Sequence, residues 1–138
     1  MEGLLMTHKG MEGIASLEVK ELIGKSSKIT DSAITFEIAG YEDLFKLCYM
    51  SQSAIDIYCL LCEFNFSDIY NDFKKNVDKI DFKEWLGKDA QFRVKCIKKD
   101  SNEHDAPTPE IEEKLGEIII ENIQKKHGYR QKVSLDNP

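Results

Sequence analysis

Residues 91–99, which read Gln-Phe-Arg-Val-Lys-Cys-Ile-Lys-Lys, alternate apolar and basic side chains over most of their length. Phe92 and Val94 fall on one side of an extended chain, and Arg93 and Lys95 fall on the other. An alternation with a period of two is typical of a strand that buries one face. The sequence therefore predicts a strand over these residues with a basic exposed face.

A long amphipathic helix is predicted after a polar loop over residues 100–107. Thr108 suits its N-cap and Pro109 its first helical position, because the first N–H groups of a helix have no partner within it. Gly128 suits the left-handed residue that ends such a helix. The residues expected to face the core recur at helical spacing and are Ile111, Leu115, Ile118, Ile119, Asn122 and Ile123.

A second basic run covers the end of this helix and the short strand predicted after it. Lys125 and Lys126 lie in the last turn, where the helix dipole favours cations, and Arg130 and Lys132 accompany the closing strand. Taken singly, each of these charges fits an ordinary solvated surface about as well as a binding site, so none of them decides the function alone. Two basic runs that bracket one helix nevertheless form an arrangement suited to phosphate, with contacts to the nucleic-acid backbone rather than to bases.

The net charge of the 138-residue chain is −6, which does not suit a nucleic-acid-binding protein at first inspection. The distribution of the charge is uneven, however. Residues 1–90 hold 10 Lys and Arg against 16 Asp and Glu, whereas residues 91–138 hold nine of each class. The positive charge is local, so any affinity for nucleic acid is expected to be modest and strongly salt-dependent.

Residues 1–64 predict the order strand, helix, strand, strand, helix, strand, which is the split βαβ pattern of ferredoxin-like domains. The expected segments are strands over 4–7, 25–30, 33–38 and 54–64 and helices over 11–23 and 41–50. Residues 65–138 form a second subdomain, whose first helix is expected to be capped by Ser67. The predicted fold class is therefore α/β of the α+β type, with a ferredoxin-like subdomain packed on a second α/β subdomain.

The sequence contains no recognisable catalytic or metal-binding constellation. Cys59-x-x-Cys62 is the one metal-like spacing, but a zinc site needs further ligands, and strand positions three apart point to opposite faces. There is no glycine-rich nucleotide loop, and the three histidines follow no partner pattern. The chain has neither a membrane-spanning apolar run nor a signal peptide, and its cysteines sit in apolar segments, so we expect a reduced, cytoplasmic protein.

Residues 92–99, 108–116 and 131–138 resemble the THUMP domain, an RNA-binding module of RNA-modifying enzymes. Residues 7–22, Thr-His-Lys-Gly-Met-Glu-Gly-Ile-Ala-Ser-Leu-Glu-Val-Lys-Glu-Leu, are similar to the N-terminus of THUMP-bearing RNA methyltransferases, archaeal tRNA guanine-N2-methyltransferases in particular. The resemblance covers essentially the whole chain. In that family a ferredoxin-like domain precedes the THUMP domain, which fits the boundary predicted near Asn65.

The resemblance implies binding of structured RNA, with a tRNA gripped at its acceptor stem and 3′ end for a downstream catalytic domain. S-adenosylmethionine (SAM) is expected in that domain and not in this chain, which lacks the family's methyltransferase motif and is expected to be a C-terminally truncated fragment. The implied RNA contacts are Arg93, Lys95, Lys98, Lys99, Lys125, Lys126, Arg130 and Lys132. Two alternatives stay open: a non-enzymatic protein-interaction module, and the RNA-binding part of another tRNA-modifying enzyme, such as a thiolation enzyme.

Overall fold

The computed structural model describes residues 1–98 and 107–136, and its contacts divide the chain into two compact units, Met1–Glu63 and Phe64–Pro138. The strands are β1 (Glu2–Thr7), β2 (Ser27–Thr30), β3 (Ala33–Glu37), β4 (Ala54–Leu60), β5 (Gln91–Phe92) and β6 (Lys132–Val133). The helices are α1 (Glu12–Ile23), α2 (Tyr41–Met50), α3 (Ile69–Val77) and α4 (Thr108–His127), with a 3-10 turn at Phe82–Glu84. Within the two described ranges, no helix is long and apolar enough to cross a membrane.

The first unit contains an antiparallel four-stranded sheet with the strand order β2-β3-β1-β4. Each of its two helices connects strands that are separated in the sheet by one other strand, which is the split βαβ arrangement. The core lies along β1, where Leu5 is opposite Ile34 on one side and Ile57 on the other. Leu5, Ile34 and Leu47 are fully buried there. The predicted α+β fold class and the predicted order of elements are therefore confirmed.

β4 ends at Leu60, so the prediction of a strand that continues to Phe64 was wrong at that end. In its register with β1, Leu60 lies opposite Glu2, which is the first residue of β1, so the pairing of the two strands ends there. Cys62 therefore follows the strand, and the argument that placed both cysteines within one strand does not hold. Over residues 1–98 and 107–136, no group of three His, Cys, Asp or Glu side chains could hold a metal ion.

The second unit is built around α4, and the predicted core-facing stripe of this helix is confirmed. Ile111, Leu115, Asn122 and Ile123 are buried, and Ile118 packs against the core from a half-buried position. This spacing places a continuous apolar stripe on one side of the helix. The buried cluster of the unit consists of Val77, Phe82, Phe92, Ile119, Ile120 and Ile123.

The starts of two helices differ from the predictions by one residue. Pro107 is the N-cap of α4 and Thr108 is its first helical residue, so Thr108 was wrong as a cap. Asp68, not Ser67, caps α3, because its carboxylate accepts hydrogen bonds from the second and third helical N–H groups. Ser and Asp are both strong caps, and the sequence alone does not rank two neighbours of this kind. The left-handed Gly128 that ends α4 is confirmed, with φ 75°.

β5 covers only Gln91 and Phe92, so the strand predicted over 91–99 was wrong for residues 93–98. Its partner is β6, which is equally short and parallel, and the ladder therefore has two register pairs. A strand extends only as far as a neighbouring strand accepts its hydrogen bonds. Lys99 and the predicted polar loop up to residue 106 lie outside the described residues.

Candidate nucleic-acid interface

The pairing of β5 with β6 places polar side chains from two distant parts of the chain on one face. Gln91 lies opposite Lys132 in register, so their side chains project to the same side of the ladder. Arg93 and Lys95 follow Gln91 at intervals of two and are exposed, whereas Phe92, between Gln91 and Arg93, is buried. We refer to the exposed side chains of Gln91, Arg93, Lys95 and Lys132 as the strand face.

The segment after β5 keeps its extended alternation because it lies against α4. Val94 and Cys96 are half-buried. Val94 packs beside Gly116, since a Cβ at that glycine would lie 3.8 Å from Cγ2 of Val94, which is an ordinary van der Waals contact. The backbone N–H of Cys96 donates to Oε1 of Glu112 at 2.8 Å. These contacts hold the segment against α4, although the ladder pairs only Gln91 and Phe92. Arg93 and Lys95 are therefore exposed, as the alternation predicts.

Arg93 has a structural contact in addition to its place on the strand face. Its Nη1 donates a hydrogen bond to the carbonyl oxygen of Leu135 at 3.1 Å. A guanidinium carries five N–H donors, so this bond leaves several donors for another acceptor. Arg93 therefore ties the chain after β6 to the chain after β5, and any change at Arg93 alters both the charge and this link.

Arg130 and Lys132 line a shallow open cavity of about 320 Å³ together with Gln91, and Ile120 and Val133 form its apolar wall. Gln131 also lines this hollow, so two cations and two amide side chains surround it, which suits an anionic group with a neighbouring polar atom.

Arg130 also lines a second hollow beside α4, together with Glu117, Glu121 and Gln124. These two carboxylates are exposed on the surface of the helix and lower the positive potential around the guanidinium. These carboxylates therefore offset the positive charge of Arg130 more than that of Lys132.

Lys125 and Lys126, at the end of α4, lie among different groups from those of the strand face. The Lys126 ammonium donates to the carbonyl oxygens of Asp78 at 2.6 Å and Ile80 at 2.8 Å, just after α3. Lys125 lines a small cleft with Lys74, and Asp78 contributes to the same cleft. The structure thus brings Lys126 to backbone acceptors of its own chain and Lys125 next to an acid.

His127 is paired with an acidic side chain. Its Nε2 lies 2.6 Å from Oδ1 of Asp81, and its ring stacks on that of Tyr129 with centroids 6.3 Å apart. The hydrogen bond from His127 and the bond from the backbone N–H of Lys83 hold the pKa of Asp81 below its ordinary value. A histidine beside an ionised carboxylate adds little net positive charge to the end of α4.

Gln131 is a residue of this site that the sequence did not single out. It lies between Arg130 and Lys132 in the chain, yet only 2% of its surface is exposed. Its Nε2 donates to the carbonyl oxygens of Gly87 and Ala90, in the turn that leads into β5. The only sequence signal was an alternation in which Gln131 takes the buried place between two exposed cations. This one side chain fixes the start of β6 next to the start of β5.

Of the remaining predicted contacts, Lys98 is half-buried and has a partner of its own, and Lys99 lies outside the described residues. The seven predicted residues that the structure describes therefore do not form one patch. Arg93, Lys95 and Lys132 share the strand face, and Arg130 adjoins it at the cavity. Lys126 donates to backbone carbonyls, and Lys125 lines a separate cleft. Basic side chains on the strand face carry donors only, so the arrangement can hold an anion such as a phosphate.

The fold and this site define an α+β chain of two units, the second of which exposes cationic side chains on a short parallel strand pair and on the segment that follows β5. The family model for the THUMP domain matches residues 68–138, which is about half of the chain. The chain belongs to the THUMP-domain family.

Similar proteins extend the likeness over nearly the whole chain. A tRNA (guanine(6)-N2)-methyltransferase of Methanocaldococcus jannaschii is 28% identical over 131 residues, which cover 94% of this chain and 34% of that protein. The crystal structure of a Listeria monocytogenes protein described as a predicted N6-adenine-specific DNA methylase has a TM-score of 0.76 at 17% identity. That match covers 92% of this chain and 32% of the Listeria chain.

The structure of SMU.472 complexed with SAH has a TM-score of 0.73 at 17% identity, with 92% of this chain and 33% of that chain covered. The structural matches are too distant in sequence to carry more than the fold. The chain spans about a third of the length of the relatives it matches.

Proposed function

We propose that this chain is an RNA-binding module that holds a tRNA by its acceptor stem and 3′ end. The observation that carries the proposal is the strand face of the THUMP domain, where Lys132 lies opposite Gln91 in register and Arg93 and Lys95 are exposed further along the chain from Gln91. Its donors suit backbone phosphates, and the absence of an aromatic side chain from that face argues against stacking along a single strand.

The module is proposed to be the N-terminal part of a SAM-dependent tRNA guanine-N2-methyltransferase. Support comes from the Methanocaldococcus jannaschii relative, which is a tRNA (guanine(6)-N2)-methyltransferase and about three times as long as the matched region. We assign residues 1–64 as a ferredoxin-like subdomain and 65–138 as the THUMP subdomain. The module would position the RNA, and a separate C-terminal domain would carry out the transfer.

SAM belongs to that separate domain in this proposal. A structural relative was crystallised with SAH, the product that SAM leaves after methyl transfer. The residues of this chain do not fit the cofactor, because no Gly-x-Gly-x-x-Gly run occurs in its sequence. The described residues are accordingly given no role in the chemical step. The free state of all four cysteines suits the reducing cytoplasm, where we place the protein.

The proposal is tested by binding of unmodified tRNA to the 138-residue chain across a salt series. We expect the logarithm of the affinity to fall linearly with the logarithm of the salt concentration. Lys95→Glu with Lys132→Glu should weaken binding and make the slope shallower by about 1.4–1.8, the contribution of two phosphate contacts. Arg93 is left unchanged because its bond to Leu135 would confuse a loss of charge with a loss of structure.

The matched control is Lys28→Glu with Lys46→Glu, two exposed lysines of the first unit that change the net charge by the same amount. This control should bind tRNA nearly as the parent does. Equal losses in the two double variants would assign the effect to net charge and contradict the proposed face. No binding of tRNA by a folded chain at low salt would favour a protein-interaction module instead.

A further inference from the structure

Gln91 differs from the other members of the strand face in the hydrogen bonds it can make. Arg93, Lys95 and Lys132 are donors only, whereas the Gln91 amide has a carbonyl oxygen that accepts and an NH₂ group that donates. The Gln91 side chain is exposed, and within residues 1–98 and 107–136 it takes part in no hydrogen bond or ion pair. The face thus contains one acceptor among cations that attract phosphate.

The position of Gln91 relates this acceptor to the cations. Lys132 is its register partner on the neighbouring strand, and Arg93 is two residues further along the same strand. Strand geometry places the first about 5 Å away and the second about 7 Å away, measured between backbones. All three lie within the span of one nucleotide and its neighbour. A phosphate held by either cation therefore brings a ribose next to the Gln91 amide.

We propose that the amide oxygen of Gln91 accepts a hydrogen bond from a ribose 2′-hydroxyl, and that this makes the strand face select RNA over DNA. The inference rests on the proposed RNA-binding function and names the group that the face reads. In an RNA duplex, the 2′-hydroxyls lie along the wide and shallow minor groove, where a surface side chain reaches them. The cations themselves do not distinguish the two nucleic acids, because both carry the same phosphates.

The test uses the 138-residue chain and two hairpins with the sequence of a tRNA acceptor stem. One hairpin is ordinary RNA, and the other carries 2′-fluoro groups throughout the stem, which keep the A-form duplex but cannot donate a hydrogen bond. The variant is Gln91→Met, which has a similar length and no amide. The parent should bind the fluorinated hairpin about three- to tenfold more weakly than the RNA hairpin, the effect of one hydrogen bond.

Gln91→Met should bind both hairpins with the weaker affinity of the parent for the fluorinated one, and its salt slope should equal that of the parent. A purely structural role of Gln91 would instead lower both affinities and change the slope. The inference is overturned if the parent does not distinguish the hairpins, or if the variant distinguishes them as well as the parent does. Failure of the parent to bind either hairpin would overturn the proposed function itself, and this inference with it.

Discussion

Glu18 illustrates how a single side chain can join parts of a fold that are distant in sequence. Its carboxylate accepts hydrogen bonds from the Ser51 hydroxyl at 2.8 Å, the Gln52 N–H at 3.0 Å and the Ser53 N–H at 3.1 Å, and also from the Ser53 hydroxyl. Desolvation alone would raise the pKa of Glu18, but the bonds from Ser53, Gln52 and Ser51 outweigh it and lower the pKa. One residue of α1 therefore holds the turn between α2 and β4.

Glu18→Gln is predicted to destabilise the first unit by about 1–3 kcal/mol, because an amide NH₂ would face hydrogen-bond donors in place of a charged acceptor. Urea unfolding followed by circular dichroism measures the change. Glu21→Gln is the control, since Glu21 lies on the same helix and is exposed. Equal stability of the two variants would contradict the role assigned to Glu18.

The Glu18 contribution is also predicted to depend on pH. Its pKa in the folded protein is below the ordinary value of 4.5, so the folded state binds fewer protons than the unfolded state near that pH. The stabilisation is therefore complete above about pH 4.5 and disappears as the pH falls through the lower folded value. The difference in stability between the parent and Glu18→Gln should shrink in that acidic range. A difference that stays constant from neutral pH to below pH 4 would exclude this linkage.

Residue roles of this kind were beyond sequence reasoning, because they depend on partners that only the fold brings together. Glu18 and Gln131 contact turns more than 30 residues away, and neither stands in a pattern that a window of sequence reveals. Lys126 was predicted as an RNA contact from its place in a basic run, yet its ammonium reaches two carbonyls near the end of α3. Charge can be read from a sequence, but the acceptor beside it cannot.

At the scale of elements, α4 was predicted well because twenty residues repeat a helical spacing often enough to identify it. The strand pair was predicted less well. Alternation in 92–96 identified which side chains point outward, while the extent of the ladder depended on β6, whose two residues carry too little pattern to define a strand. The face was therefore predictable, and the hydrogen-bonded length was not.

Gln131→Ala is predicted to loosen the β5–β6 pair, because two carbonyl oxygens in the turn before β5 would lose their donor. The expected cost is about 1–3 kcal/mol for partly buried groups left without a partner. Fluorescence of Trp85, the single tryptophan, reports unfolding of the second unit in urea.

Gln124→Ala provides the control for this experiment, since Gln124 is an exposed glutamine on α4. The same Gln131 variant should bind tRNA more weakly, because Lys132 follows Gln131 directly in the chain. Unchanged stability together with unchanged tRNA affinity would refute the anchoring role of Gln131.

At the scale of the whole molecule, the order of elements could be predicted because each element is local and each has its own period or turn signal. The order of elements indicates a split βαβ arrangement, and the pairing order β2-β3-β1-β4 of the structure is of that kind. The uneven charge was also visible in the sequence. The sequence does not show which acidic side chains lie beside the basic ones. This placement controls the local potential more than the net charge of −6 does.

The placement of Glu117 and Glu121 beside Arg130 leads to a prediction of stronger binding. Glu117→Gln with Glu121→Gln should raise tRNA affinity by about two- to fivefold at low salt, in line with the energies of exposed charge pairs. Glu121 also lies 3.7 Å from Lys74, but that pair is exposed and its loss should matter little for stability. The gain should vanish at high salt, because the Debye length falls to about 3 Å at 1 M.

A second pair of variants separates this local effect from the change in net charge. Glu37→Gln with Glu42→Gln removes the same number of charges from exposed positions of the first unit. If the local potential governs binding, this control should leave tRNA affinity close to that of the parent, because neither residue belongs to the unit that carries the strand face. Equal gains in both double variants would instead mean that the RNA responds to the net charge of the whole protein. The proposed face would then have no special place in binding.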